Sequence, residues 1–213
     1  MREMYATADK LLDKLRTQVS AEFTNIAEAP FDQLNIIQGT KRVRSMFSRM
    51  DSTARKCFLR VADREYQDSL EELVEMDYVL GKQHPPDKEW VLEWLKEYNR
   101  TTRYVYSSEV QRKRMRFTEE VLTAYTYRDR KGLRDSSRRW ARNWNSQISQ
   151  YMIDAVHAGR KQAYKDYGVT KVMWVTMDDE RVCEECAPRD GKVYDLDGLP
   201  ERHYGCRCWF VAI

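Results

Sequence analysis

The sequence predicts a mainly α protein that ends in a small C-terminal α+β unit built on a β-hairpin. Three observations predict it. Only 8 Gly and 5 Pro occur in 213 residues, too few to punctuate many short strands. Apolar residues recur at steps of three and four along most of the chain, the period of an amphipathic helix. After Gly168 that pattern gives way to short β-type runs, and four of the five cysteines lie beyond it. At 25.5 kDa, with 42% hydrophobic and 12% aromatic residues, the chain can bury a core without disulfides.

Tyr5, Ala8, Leu12, Leu15, Val19, Phe23 and Ile26 form the first stripe, a helix ending near Ala29 and Pro30. The Phe31–Gly39 stretch reads as a link. A second stripe runs through Val43, Met46, Phe47, Met50, Ala54, Cys57, Phe58 and Val61 and on to Leu70 and Val74, which makes Cys57 a small buried hydrophobe. The break at Gly81–Pro86 follows from two consecutive prolines, which remove donors and turn His84 away from the α region. Asp87 then caps a short helix whose face is Trp90, Val91, Trp94, Leu95 and Tyr98, the tryptophans being core. Further helices are expected over about 107–127 and 134–167. The stripe of the last is Trp140, Trp144, Ile148, Tyr151, Ala155, Ala158 and Ala163, its stop is Gly168, and His157 on it is structural or a surface residue. About five helices result.

The β-type runs are Val172–Met177, the segment after the Asp190-Gly191 turn, and a terminal strand over Cys206–Ile213. This unit of about 45 residues is too small to bury a core of its own.

Net charge is +3, but Arg100–Arg142 holds 13 basic against 5 acidic residues, so that stretch carries +8 and the remainder −5. Arg112, Lys113, Arg114, Arg116, Arg138, Arg139 and Arg142 are candidate contacts to DNA phosphates, which would be sequence-independent and salt-sensitive. An acidic protein surface is the equal alternative. No run of about 18 apolar residues and no signal-peptide pattern is present, so neither a membrane span nor secretion is expected. A zinc deaminase would need H-x-E, which none of the three histidines supplies, and the P-loop, dinucleotide, nucleophile-elbow and H-E-x-x-H signatures are absent.

Cys183-x-x-Cys186 followed by His203-x-x-Cys206-x-Cys208 offers five donors of sulfur and nitrogen for one tetrahedral ion, and Zn²⁺ fits best. The first choice of ligands is Cys183, Cys186, His203 and Cys206, since the two halves mirror each other. The alternative exchanges His203 for Cys208, because residues 206 and 208 of a strand share a side. A closed four-ligand site is structural and contributes folding energy to the zinc-stabilised hairpin. Glu184 and Glu185 read as solvated rather than as a catalytic base.

The helix ending in Ala163–Gly168, then Lys171, Trp174, Thr176, Asp178, Asp179, Arg181, Cys183, Cys186, Asp190, Gly191, Pro200, His203, Cys206, Arg207 and Cys208, resembles the C-terminal domain of the phage Mu F-like head morphogenesis proteins. It departs from them at Tyr204, where the family often has Pro. The resemblance covers the last third and divides the chain into a helical body over 1–133 and a Mu F-like domain over 134–213, with the zinc-binding β unit from about 169. It implies a non-enzymatic minor capsid protein of a tailed phage or prophage, assembled in the host cytoplasm. Such a protein acts at or near the portal during head assembly, and resides in the virion at the capsid interior or portal vertex. Its partners would be portal, major capsid or scaffold protein, with DNA contact in some relatives. The alternatives from other classes are a zinc-dependent nucleic-acid-processing enzyme or toxin domain, and a zinc-ribbon DNA-binding protein.

Overall fold

In a computed structural model, residues 5–31, 36–80, 88–177 and 182–213 are described. The Gly81–Pro86 break with His84, the Asp87 cap, and Asp178, Asp179 and Arg181 lie outside them. Four helices precede the sheet: α1 (Ala6–Ala27), α2 (Ile36–Leu80), α3 (Lys88–Thr126) and α4 (Arg130–Asp166). Three antiparallel strands follow, β1 (Lys171–Val175), β2 (Val193–Asp195) and β3 (Trp209–Ala212), in the order β2-β1-β3. The mainly α architecture with a small C-terminal β unit is thus the one expected, the hairpin being completed by β3 into a sheet.

Three element boundaries differ from expectation for local reasons. Ile36 and Ile37 belong to α2 and stand exposed, so the expected link is shorter. The two helices expected over 87–98 and 107–127 are one, because no Gly or Pro lies between Lys88 and Thr126 to end it. α4 starts a turn early: the Asp129 carboxylate accepts the Gly132 amide at 2.8 Å, the bond of an N-cap. Its end is as expected. Gly168 takes φ +85°, with Val169 N–H donating to Tyr164 O and Gly168 N–H to Lys165 O, a Schellman closure.

Two compact units share these helices: 1–58 with 97–149, and 59–96 with 150–213. Neither is continuous in sequence, and the expected 133/134 boundary falls inside α4. The first unit is an aromatic core of Phe23, Phe47, Phe117, Trp140 and Trp144, whose rings meet mostly edge to face at 5.0–6.2 Å. Arg130 closes α1 by donating to the carbonyls of Ala27 and Ala29 at 3.1 and 2.7 Å, a cation at a helix C-terminus. Cys57 is half-buried rather than buried.

In the second unit the stripes are shifted from those read in the sequence. On α4, Met152 and Val156 are buried whereas Tyr151 and Ala158 are half-buried, and on α2 Leu73 is buried while Val74 is exposed. Trp94 is half-buried and stacks on Tyr66 at 5.4 Å. Arg160 and Glu65 form a buried ion pair of 2.8 Å, with Glu72 and Tyr164 completing the guanidinium's partners. The same arginine reaches Phe210 O at 3.5 Å, and Tyr164 OH accepts the Ala212 amide. Residues 160 and 164, one helical turn apart, thereby cover the outer edge of β3.

Candidate metal centre

The β1–β2 connection carries the first cysteine pair and the β2–β3 connection carries the second group. Two tight turns shape them. Cys183 O accepts the amides of Cys186 at 3.0 Å and Ala187 at 3.0 Å, bending the chain so that both thiols face one side. His203 O accepts the Cys206 amide at 3.1 Å, and Gly205 between them sits at φ +79°, a conformation glycine adopts without strain. Cys206 and Cys208 precede β3 instead of lying on it, so strand alternation is not what aligns them. They converge because both are buried against Trp174, together with Cys186.

All five predicted donors come together around Cys186. Cys183, Cys186 and His203 form one group and Cys186, Cys206 and Cys208 another, each with its ligand atoms within 4.8 Å of one another. His203 Nε2 lies 3.0 Å from Cys183 Sγ and 3.2 Å from Cys186 Sγ, and the Cys186 and Cys206 sulfurs are 3.6 Å apart. A tetrahedron with Zn–S bonds of about 2.3 Å has edges of about 3.8 Å. The donor chemistry and these separations fit such an ion. Around the thiols lies a recess of about 190 Å³.

Supporting groups orient the donors. His203 Nδ1 is 3.0 Å from Tyr204 O, which turns Nε2 toward the thiols. Gln150 Oε1 accepts the Gly205 amide at 2.6 Å, tying the second turn to α4. Arg202 donates to Asp154 at 2.8 Å, a second tie to the same helix. Asp190 Oδ1 accepts both the amide and the hydroxyl of Thr176, at 2.7 and 3.0 Å, and closes the loop that carries the first pair. Burial drives the Cys186 thiol up, its hydrogen bonds with Cys183 and Cys206 adding to it. Burial and the charge of Cys206 likewise raise Cys208. Desolvation acts to raise Cys183, but the hydrogen bonds from Cys186 and the Glu185 backbone together hold it below its ordinary value. Two neighbouring thiols that resist ionisation, Cys186 and Cys208, are what a cation would relieve.

Glu184 and Glu185 are exposed, as expected of solvated residues. His157 is buried, structural rather than superficial. Burial, reinforced by the charges of Arg202 and Arg160, holds it well below its usual range despite a hydrogen bond with the Cys208 backbone. Gln150, Asp154 and Arg202 were not singled out in the sequence. Nothing in their local pattern marks them, since each acts on a residue about fifty positions away.

The seven basic candidates do not share a face. On α3, Arg112 pairs with Glu109, Lys113 and Arg114 are half-buried, and Arg116 is exposed. Burial lowers Lys113 from its usual value. On α4, Arg139 donates to Glu120 at 2.6 Å, whereas Arg138 and Arg142 stand together beside Arg134 on a groove against α1. Much of the positive stretch is therefore spent on internal pairs, Arg134 with Glu28 and Arg100 with Glu97 among them.

No curated protein and no solved structure matches the chain. One family does: residues 109–211, a span that contains all five convergent donors and the helix that anchors them, match the model of the phage Mu protein F like proteins. The Trp174–Cys208 motifs lie inside the matched span, and this segment, 109–211, belongs to the phage Mu protein F like family.

Proposed function

We propose that the protein is a non-enzymatic minor capsid protein of a tailed phage or prophage that acts at or near the portal during head assembly. Membership of the family carries the coarser statement, a phage head morphogenesis protein. Portal, major capsid or scaffold protein is its partner, and the virion its destination. A structural Zn²⁺ clamps the β unit, held by Cys183, Cys186, His203 and Cys206, with Cys208 as the spare donor. The convergence of the five donors between two connections of a three-stranded sheet supports that role, since the metal would cross-link the two connections beside Trp174. Among the described residues no carboxylate joins either donor group, which favours a closed structural site over a hydrolytic one. The 134–213 segment is the proposed functional module. The dispersal of the seven basic residues over several faces favours a protein partner over duplex phosphates.

The test is genetic and structural. Deleting the gene from the phage or prophage that encodes it should abolish normal heads in electron micrographs, and the protein should be detected in purified wild-type virions. Normal infectious heads without it would refute the reading.

A further inference from the structure

α1 and α4 leave a groove of about 350 Å³ between them. Ser20, Phe23, Thr24 and Ala27 line it from α1 at helical spacing, and Phe23 and Ala27, both buried, give it apolar depth. From α4 come Arg134, Arg138 and Arg142, four residues apart on one face, with Ala141 among them. Each step of four rises about 6 Å along a helix, so the three guanidinium stems form a ladder about 12 Å long.

The groove is not saturated by its own residues. Ser137 lines it, is 2% exposed, and its Oγ has no hydrogen-bond partner among the described residues. Asn145 Oδ1, also lining it, is buried and equally without one. A buried hydroxyl in that state is costly until a ligand supplies the missing bond. The charges are likewise incompletely matched. Glu28 engages Arg134 at 3.0 Å, but Arg138 is 4.0 Å from Asp135, and Arg142 makes no ion pair among the described residues.

Apolar depth beneath an arginine ladder selects the occupant. The phosphate backbone of a duplex could meet the arginines, yet a cylinder that wide cannot descend between two packed helices to Phe23 and Ala27. The apolar side chains of an amphipathic helix laid along the groove can. Its carboxylates at i and i+4 repeat at the same pitch as the arginines, while the apolar residues beside them fill the depth. The geometry points to the α1–α4 groove as the docking site for an acidic amphipathic helix of a partner head protein, with carboxylates on Arg138 and Arg142 and a hydrogen bond to Ser137. This rests on the proposed head-assembly role and names the chemistry of the partner.

The full-length protein is titrated by fluorescence anisotropy, near physiological salt, with three probes. One is a synthetic helical peptide carrying Glu at i, i+4 and i+8 beside a Leu stripe. The others are an isomer of identical composition with the Glu residues scattered, and a short random-sequence DNA duplex. The in-register peptide should bind about tenfold more tightly than its isomer, and Arg138→Glu with Arg142→Glu should weaken it at least about tenfold. Ala141→Trp, which fills the groove without changing charge, should do the same, while Arg116→Glu, off the groove, should not. Unchanged far-UV circular dichroism verifies folding of each variant. Equal binding of the two peptides, absence of peptide binding, or full binding to Ala141→Trp would overturn the proposal. So would charge reversal that weakens only the duplex, which would make the groove a nucleic-acid contact. If the peptide fails while gene deletion still abolishes heads, the groove assignment falls alone. If deletion is harmless, the head-assembly reading falls whatever the peptide does.

Discussion

Gly159 on α4 lies directly against the backbone of Ala62 on α2: a Cβ at residue 159 would stand 2.3 Å from the Ala62 carbonyl oxygen and 3.0 Å from the Tyr66 nitrogen. The nearest atoms are backbone, so nothing flexible can move aside. In an exposed helix, replacing Gly by Ala gains about 1 kcal/mol. Here Gly159→Ala should instead destabilise by about 1–3 kcal/mol, as other overpacked cores do. Urea unfolding of the two proteins decides the sign, and a stabilised variant would show that the two helices do not approach this closely.

The buried pair Glu65–Arg160 predicts a pH dependence. Burial pushes the Glu65 carboxyl up from 4.5 to about 7, outweighing the pull of Arg160. A folded-state value above the unfolded one means that the native protein binds more protons between those two values. The contribution of Glu65 to stability is therefore fullest below about pH 4.5 and declines as pH rises toward 7. Glu65→Gln keeps an acceptor for the guanidinium and removes the titration. Its midpoint of thermal unfolding, followed from pH 5 to 8 relative to wild type, should lack this decline. Parallel curves for the two proteins would contradict the assignment.

Metal removal should act locally. A chelator is expected to unfasten the β unit, seen as a loss of near-UV signal that is absent in a Trp174→Phe variant, while the far-UV helical signal largely persists. Single Ser substitutions at Cys183, Cys186, Cys206 and Cys208, with His203→Ala, should abolish stoichiometric zinc at four positions and spare Cys208. Retention of zinc by His203→Ala and its loss in Cys208→Ser would exchange those two roles. Retention of the Trp174 signal after complete demetallation would remove the structural role.

Gln150 tests the anchoring of the centre from α4. Gln150→Ala deletes the acceptor of the Gly205 amide and leaves every donor in place. Zinc affinity, measured by competition with a chromophoric chelator, should fall about tenfold, as for other residues that orient ligands. An unchanged affinity would mean that the turn holds its shape unaided.

Phe117 is the corresponding test of the helical core. It is wholly buried against Phe23, Phe47 and Trp140. Phe117→Ala should cost about 3–5 kcal/mol in chemical denaturation. A loss below about 1 kcal/mol would imply a core loose enough to collapse around the void.

The residues of the candidate metal centre were legible in the chain because donor chemistry is local: two cysteines three apart can meet in one turn wherever it lies. Helix existence was legible for the same reason, since periodicity is a property of neighbours. The merger of two expected helices into α3 was readable too, in the absence of Gly and Pro, once that absence is weighed above the dip in pattern. Register was harder. A stripe read in steps of three and four does not distinguish Tyr151 from Met152, or Val74 from Leu73, because helix phase drifts and the packing partner chooses the face.

The amino-acid sequence by itself determined the mainly α class, the closing glycine of α4, the five candidate donors and the family of the 109–211 segment. Only the tertiary structure decided that Cys186 belongs to both donor groups, that Gln150 and Asp154 hold the second turn, and that Gly159 admits α2. It also paired several arginines of the +8 stretch internally and set three of them, Arg134, Arg138 and Arg142, along one groove. The physical reason is that most of these relations join residues distant in sequence, from Cys186 and Cys206, 20 positions apart, to Gln150 and Gly205, 55 apart, and are fixed by packing and charge pairing in space that no local spacing records.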